Sequence, residues 1–92
     1  MEYENETLNE RESTHGDYRI TAEVSQELKS VIEHGLKQSN NILDDVNAES
    51  LDIICTKISR IVSGNPNEAD HWKDIAGYAN LVSERLENVQ DN

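Results

Sequence analysis

At 92 residues the chain is bounded to one domain, and its 35% hydrophobic content suits helices packed on helices better than a thick two-layer sheet core. A formal net charge of −11 excludes broad binding to DNA or RNA polymers and to anionic membrane, both of which need a basic surface. It still permits a small anionic ligand in a local basic pocket, because salt screens the distant acidic field within roughly 8 Å.

Residues 1–6 are acidic and polar, and are expected to be loose. Thr7-Leu8-Asn9-Glu10 has the pattern of a capping box, predicting a short helix to about Thr14 that ends at Gly16. His15-Gly16-Asp17-Tyr18 reads as a turn, with Gly16 free to take positive φ. Thr21 is the expected cap of the next helix, whose apolar face is Ala22, Val24, Leu28, Val31, Ile32 and Leu36, running to about Gln38. Ser39-Asn40-Asn41 is a polar loop, and Ile42-Leu43 are placed to plug the gap between helices.

Asp44, Asp45 or Asn47 can cap a third helix whose stripe is Leu51, Ile54, Cys55, Ile58, Ile61 and Val62, ended by Gly64. Asn65-Pro66 then reads as a cap followed by an N1 proline. The last helix carries Trp72, Ile75, Ala76, Ala79, Val82 and Leu86 to about Val89, with Gly77 expected to admit a close neighbour. The last two helices form either a hairpin or one long helix kinked at Asn65-Pro66, and the short Ser63–Asn67 joint favours the kink. The expected fold is all-α: a single domain over residues 1–92, a short N-terminal helix followed by long antiparallel helices. So thin a core invites homo-oligomerisation. No internal repeat and no heptad pattern long enough for a coiled coil is evident.

Cys55 is the single cysteine, so no intrachain disulfide forms, and its apolar neighbours predict a buried, inert thiol. The N-terminal segment lacks the apolar core of a signal peptide, and no stretch reaches membrane-spanning length. A soluble cytoplasmic location is expected.

Two groups of side chains can carry chemistry. Glu49 and Asp52 with Asp70, His71 and Asp74 have helical spacing for a metal site of the kind used by MazG-like helical nucleotide pyrophosphohydrolases. Ordinary helix-terminus and surface roles explain these residues better, so no metal and no cofactor is expected. The second group is the turn His15-Gly16-Asp17-Tyr18 with Arg11 and Arg19 beside it, together with Lys29, Lys37, Lys57 and Arg60. An aromatic ring can stack on a base, and Lys or Arg can hold phosphate. A tight turn and surface ion pairs explain the same residues.

The ordered blocks Arg11-x-x-x-His15-Gly16-Asp17-Tyr18, Ser25-Gln26-x-Leu28-Lys29, Lys57-Ile58-x-Arg60-Ile61, Gly64-Asn65-Pro66 and Asp70-His71-Trp72-x-Asp74-Ile75-Ala76-Gly77-Tyr78-Ala79 resemble a family of small proteins of tailed phages and prophages. Size and helical layout also resemble the phage anti-CBASS sponge proteins. These are helical oligomers, described as hexamers, that bind cyclic di- and trinucleotide immune signals between protomers without cleaving them. That resemblance implies a non-enzymatic protein in the cytoplasm of an infected bacterium. It further implies a ligand site drawn from His15, Tyr18, Arg19, Lys29, Lys57 and Arg60, with Tyr18 or His15 stacking and the cations pairing with phosphate. Two other readings stay open, the pyrophosphohydrolase and an acidic protein that inhibits a host enzyme by contact.

Overall fold

Asp17 opens the first helix. Its backbone is extended (φ −62°, ψ 124°) and its carboxylate accepts from the Arg19 N–H at 2.9 Å, satisfying one of the donors that a helix start leaves unpaired. The computed structural model describes residues 16–91, with side chains to residue 89. The helix that follows, α1, spans Tyr18–Ser39. It starts one turn earlier than the Thr21 cap expected from sequence. The Thr21 hydroxyl instead bonds back to the Asp17 carbonyl at 3.0 Å and to Ser63 Oγ at 2.8 Å. The proposed helix over residues 8–14, its capping box and His15 lie outside the described residues.

α1 ends in a left-handed residue, Asn40 (φ 57°). The Asn40 N–H reaches Lys37 O and the Asn41 N–H reaches Leu36 O at 3.0 Å, the paired bonds of a Schellman motif. Ile42 is 95% exposed, so it does not plug the gap between helices. The next helix, α2, spans Asp45–Ser63, with Asp44 as its cap accepting from the Asn47 N–H at 2.9 Å. Gly64 closes it, donating to Arg60 O at 2.9 Å.

The third helix, α3, spans Ala69–Asp91. Of the two forms considered for the joint, the described helices make the hairpin. Asn65 Oδ1 accepts from the Asn67 N–H at 3.0 Å, and the Glu68 N–H turns back to Asn65 O at 3.2 Å. This side-chain turn diverts backbone donors from the helical ladder, so the chain reverses over residues 64–68 rather than bending within one rod. Pro66 therefore sits in the turn and not at the first helical position. Its carbonyl accepts from Trp72 Nε1 at 3.1 Å, which ties the turn to α3.

Both outer helices run antiparallel to α2. Thr21 meets Ser63 and Ser25 meets Thr56 (3.3 Å) across the α1–α2 seam; Lys57 meets Asp74 and Asp44 meets Arg85 across the α2–α3 seam. α1 and α3 pack on α2 but not on each other. The result is an elongated layer of 54 × 28 × 23 Å with α2 in the middle. Its core is thin. Among the described residues only Cys55 and Ile61 are buried hydrophobics, while Thr21, Ser25, Ser50 and Ser59 are buried hydroxyls. Small residues let α1 approach α2 closely, and the hydroxyls are satisfied locally, as in Ser59 Oγ to Thr56 O at 2.6 Å. Hydrogen bonding thus replaces part of the apolar burial that normally holds helices together.

Candidate binding site

Of the residues singled out from sequence, Gly16, Tyr18, Arg19, Lys57 and Arg60 lie toward the end of the molecule where α1 begins and α2 ends, whereas Lys29 is farther along α1 and Lys37 is at its far end. Gly16 makes that joint. It is buried with φ +86°, and a Cβ placed on it would lie 2.2 Å from the Ser63 carbonyl oxygen. The positive φ expected of Gly16 is present, and the missing side chain admits the last turn of α2. Two residues after Gly16, Tyr18 projects outward at 81% exposure. Arg19 is also exposed, and its guanidinium pairs with Glu23 one turn along at 3.2 Å. Arg60 stands one turn before the Ser63–Gly64 end of α2, half-buried.

Lys57 is at the same end but already engaged. Its Nζ lies 2.9 Å from Asp74 Oδ2, and its side chain is only 17% exposed. The Lys57 hydrogen bond, then its charge, hold the Asp74 carboxyl below its ordinary range, with smaller help from His71 and Arg60. Lys57 and Arg60 therefore both stand near Asp74 instead of forming an open anion pocket with Lys29. Lys29 is eleven residues along α1 from Tyr18, about 16 Å at the helical rise. It lies near Cys55, whose thiol is pushed up chiefly by burial and next by Asp52, with Lys29 opposing. A protonated, buried thiol agrees with the inert cysteine expected from sequence.

The acidic constellation does not assemble. Glu49, Asp52 and Asp70 are exposed, and Asp74 is taken by Lys57. Among the described residues no three His, Cys, Asp or Glu side chains gather as metal ligands. His71 is 2% exposed and belongs to the packed inner face of α3. Gly77 has no neighbour within 4 Å of where its Cβ would stand, so it admits no close helix. No described helix is long and apolar enough to cross a membrane.

Sequence reasoning missed two features. The Lys57–Asp74 tie joins residues seventeen apart through a turn whose reversal was itself undecided, so nothing local announces it. The docking of Gly16 on Ser63 was partly announced, since a glycine after His15 marks positive φ, but its partner was not. Searches against known protein families, curated proteins and solved structures find no match to this chain.

Proposed function

We propose that this protein is a non-catalytic binding protein that sequesters cyclic di- and trinucleotides in the cytoplasm of an infected bacterium, at sites completed between protomers of a homo-oligomer. The observation that carries the reading is Tyr18. A large aromatic ring is 81% exposed at a joint fixed by the Asp17 cap and the Gly16–Ser63 contact. An exposed ring on a rigid mount is a platform for stacking a base. Arg19 beside it can exchange Glu23 for a phosphate, since an exposed ion pair holds by only about 0–1 kcal/mol.

Within one protomer Tyr18 and Lys29 are too far apart to meet on one phosphate-linked unit. Bringing both to a ligand requires a second copy, which fits the thin core and the many exposed apolar side chains. His15 adjoins the same turn in sequence. Of the candidate site residues, Arg60 and Lys29 make no ion pair among the described residues and are available for phosphate. Lys57 would join them only by leaving Asp74. The acidic remainder of the surface repels nucleic-acid polymers and leaves a local basic site for a small anion.

Isothermal titration with a panel of cyclic di- and trinucleotides tests the reading. The assembled protein should bind at micromolar concentration or below and return the ligand intact on denaturation. Tyr18→Ala should abolish binding while leaving thermal stability within about 0.5 kcal/mol, because the ring is exposed. An assembled oligomer that binds none of the panel overturns the proposal.

A further inference from the structure

α3 carries a seam that its own protomer does not use. Its inward face is His71, Asp74, Ile75, Tyr78, Val82 and Arg85, all buried or half-buried. A separate line of residues, Ala69, Trp72, Ala76, Ala79, Ser83 and Leu86, follows at alternating steps of three and four, and all six are exposed. That is the spacing of the contact line in a two-helix coil. None of the six is charged, in a chain that is 29% charged. Along one flank stand Lys73, Asn80 and Glu87, also exposed, at intervals of seven.

We infer that this face of α3 is an antiparallel two-fold interface with a second copy of this chain. The argument is self-complementarity, which a two-fold contact requires. Lys73 and Glu87 are each seven residues from Asn80, on opposite sides of it. An antiparallel pairing with Asn80 beside the two-fold axis therefore brings Lys73 next to the partner's Glu87, and Glu87 next to the partner's Lys73. In the same register Ala76 faces the partner's Leu86, and Ala79 faces the partner's Ser83. Leu86 is thus set against a small residue, and the central layers are small on both sides, so the helices approach most closely near the two-fold axis.

A parallel pairing does neither. It sets Trp72 on the partner's Trp72 and Ala76 on the partner's Ala76, giving uneven gaps, and leaves Glu87 beside the partner's Val82. Trp72 is already oriented by its bond to the Pro66 carbonyl, so it closes each end of the antiparallel seam without rearrangement.

From Ala69 to Leu86 the seam is roughly 26 Å long, and a helix strip about 10 Å wide gives roughly 500 Å² over both protomers. That is under half of a standard stable interface, so the contact is a weak, concentration-dependent dimer by itself. The inference deepens the proposed homo-oligomer by naming one of its contacts, and rests on that reading only for its biological use.

Sedimentation of the full chain without ligand, from micromolar to near-millimolar, should show reversible dimerisation. Lys73→Glu should weaken it roughly 3–30-fold, as expected for two symmetric exposed pairs. The double variant Lys73→Glu with Glu87→Lys should restore it. Under mild oxidation Asn80→Cys should form a disulfide dimer, whereas Leu81→Cys, on another face of α3, should not. Circular dichroism checks that each variant folds, and the charge-swap pair stands if a cysteine variant does not. A chain that stays monomeric throughout, a double variant no better than Lys73→Glu, or equal cross-linking from Leu81→Cys overturns the inference. A dimer that binds no cyclic nucleotide leaves it intact and overturns the ligand reading. Nucleotide binding by a strict monomer does the opposite.

Discussion

Gly16 stands where the start of α1 meets the end of α2, a place that no larger residue fits. Two independent obstacles meet any substitution there: a positive φ of +86°, and the Ser63 carbonyl 2.2 Å from a would-be Cβ. The Asp17 cap that follows it and the end of α2 that it meets are both held by hydrogen bonds, so neither obstacle relaxes cheaply. Gly16→Ala should cost about 2–4 kcal/mol, read as a lower urea midpoint. Gly35 tests the contrast, since it is helical and has no neighbour within 4 Å. Gly35→Ala should stabilise by about 0.5–1 kcal/mol in the same assay. Cys55 offers a residue-scale test of burial. Its thiol is pushed up by desolvation, so the thiolate is scarce at neutral pH. Thiol reagents should label it only as fast as the chain opens, and the rate should rise with urea. Rapid labelling in native buffer would show that the α1–α2 seam is open.

At the scale of elements, α2 is the strut on which both neighbours depend, and its link to α3 runs through two carboxylates. Asp44 is held below its ordinary range first by the Asn47 N–H and then by Arg85; Asp74 is held down by the hydrogen bond and charge of Lys57. A carboxyl lowered in the folded state binds fewer protons there than when unfolded. Its contribution is therefore present above the unfolded value of about 4 and is lost as pH falls through the lower folded value. The wild type should lose stability below about pH 4, and Asp74→Asn should lose less over the same interval. Urea melts across that window check the sign: a variant that loses as much as the wild type rules out the Lys57–Asp74 tie as a contributor.

Much of this layer was legible in the chain itself. The apolar periodicities of residues 22–36, 51–62 and 72–86 located three helices, and Gly64 marked the end of α2. What escaped were competitions between equally plausible local partners. Thr21 has the chemistry of a cap but spends its hydroxyl on Asp17 and Ser63. Asn65-Pro66 has the pattern of a helix start, yet Asn65 uses its amide oxygen to close a turn. The site was less legible, because pairing Lys57 with Asp74 depends on the direction of a turn, which no spacing within either helix encodes.

For the whole molecule the deciding quantity is charge. The chain has 19 acidic and 8 basic residues, and its described part forms a body 54 Å long. Two electrostatic effects oppose each other as salt is added. The ion pairs among the described residues, Arg19–Glu23, Glu33–Lys37, Lys57–Asp74 and Asp44–Arg85, weaken on screening. Such pairs are individually weak and act at contact, where screening removes only part of their energy. The excess of acid acts over longer range, and at 0.1 M salt the screening length is only about 10 Å. Repulsion among carboxylates a turn or a helix apart is therefore the larger quantity removed. Thermal midpoints should rise from low to moderate sodium chloride, and the α3 dimer should tighten over the same range because two like-charged copies approach each other. A midpoint that falls with salt would mean that the ion pairs outweigh the net charge, and the layer would then be held by its seams of paired side chains in spite of its composition.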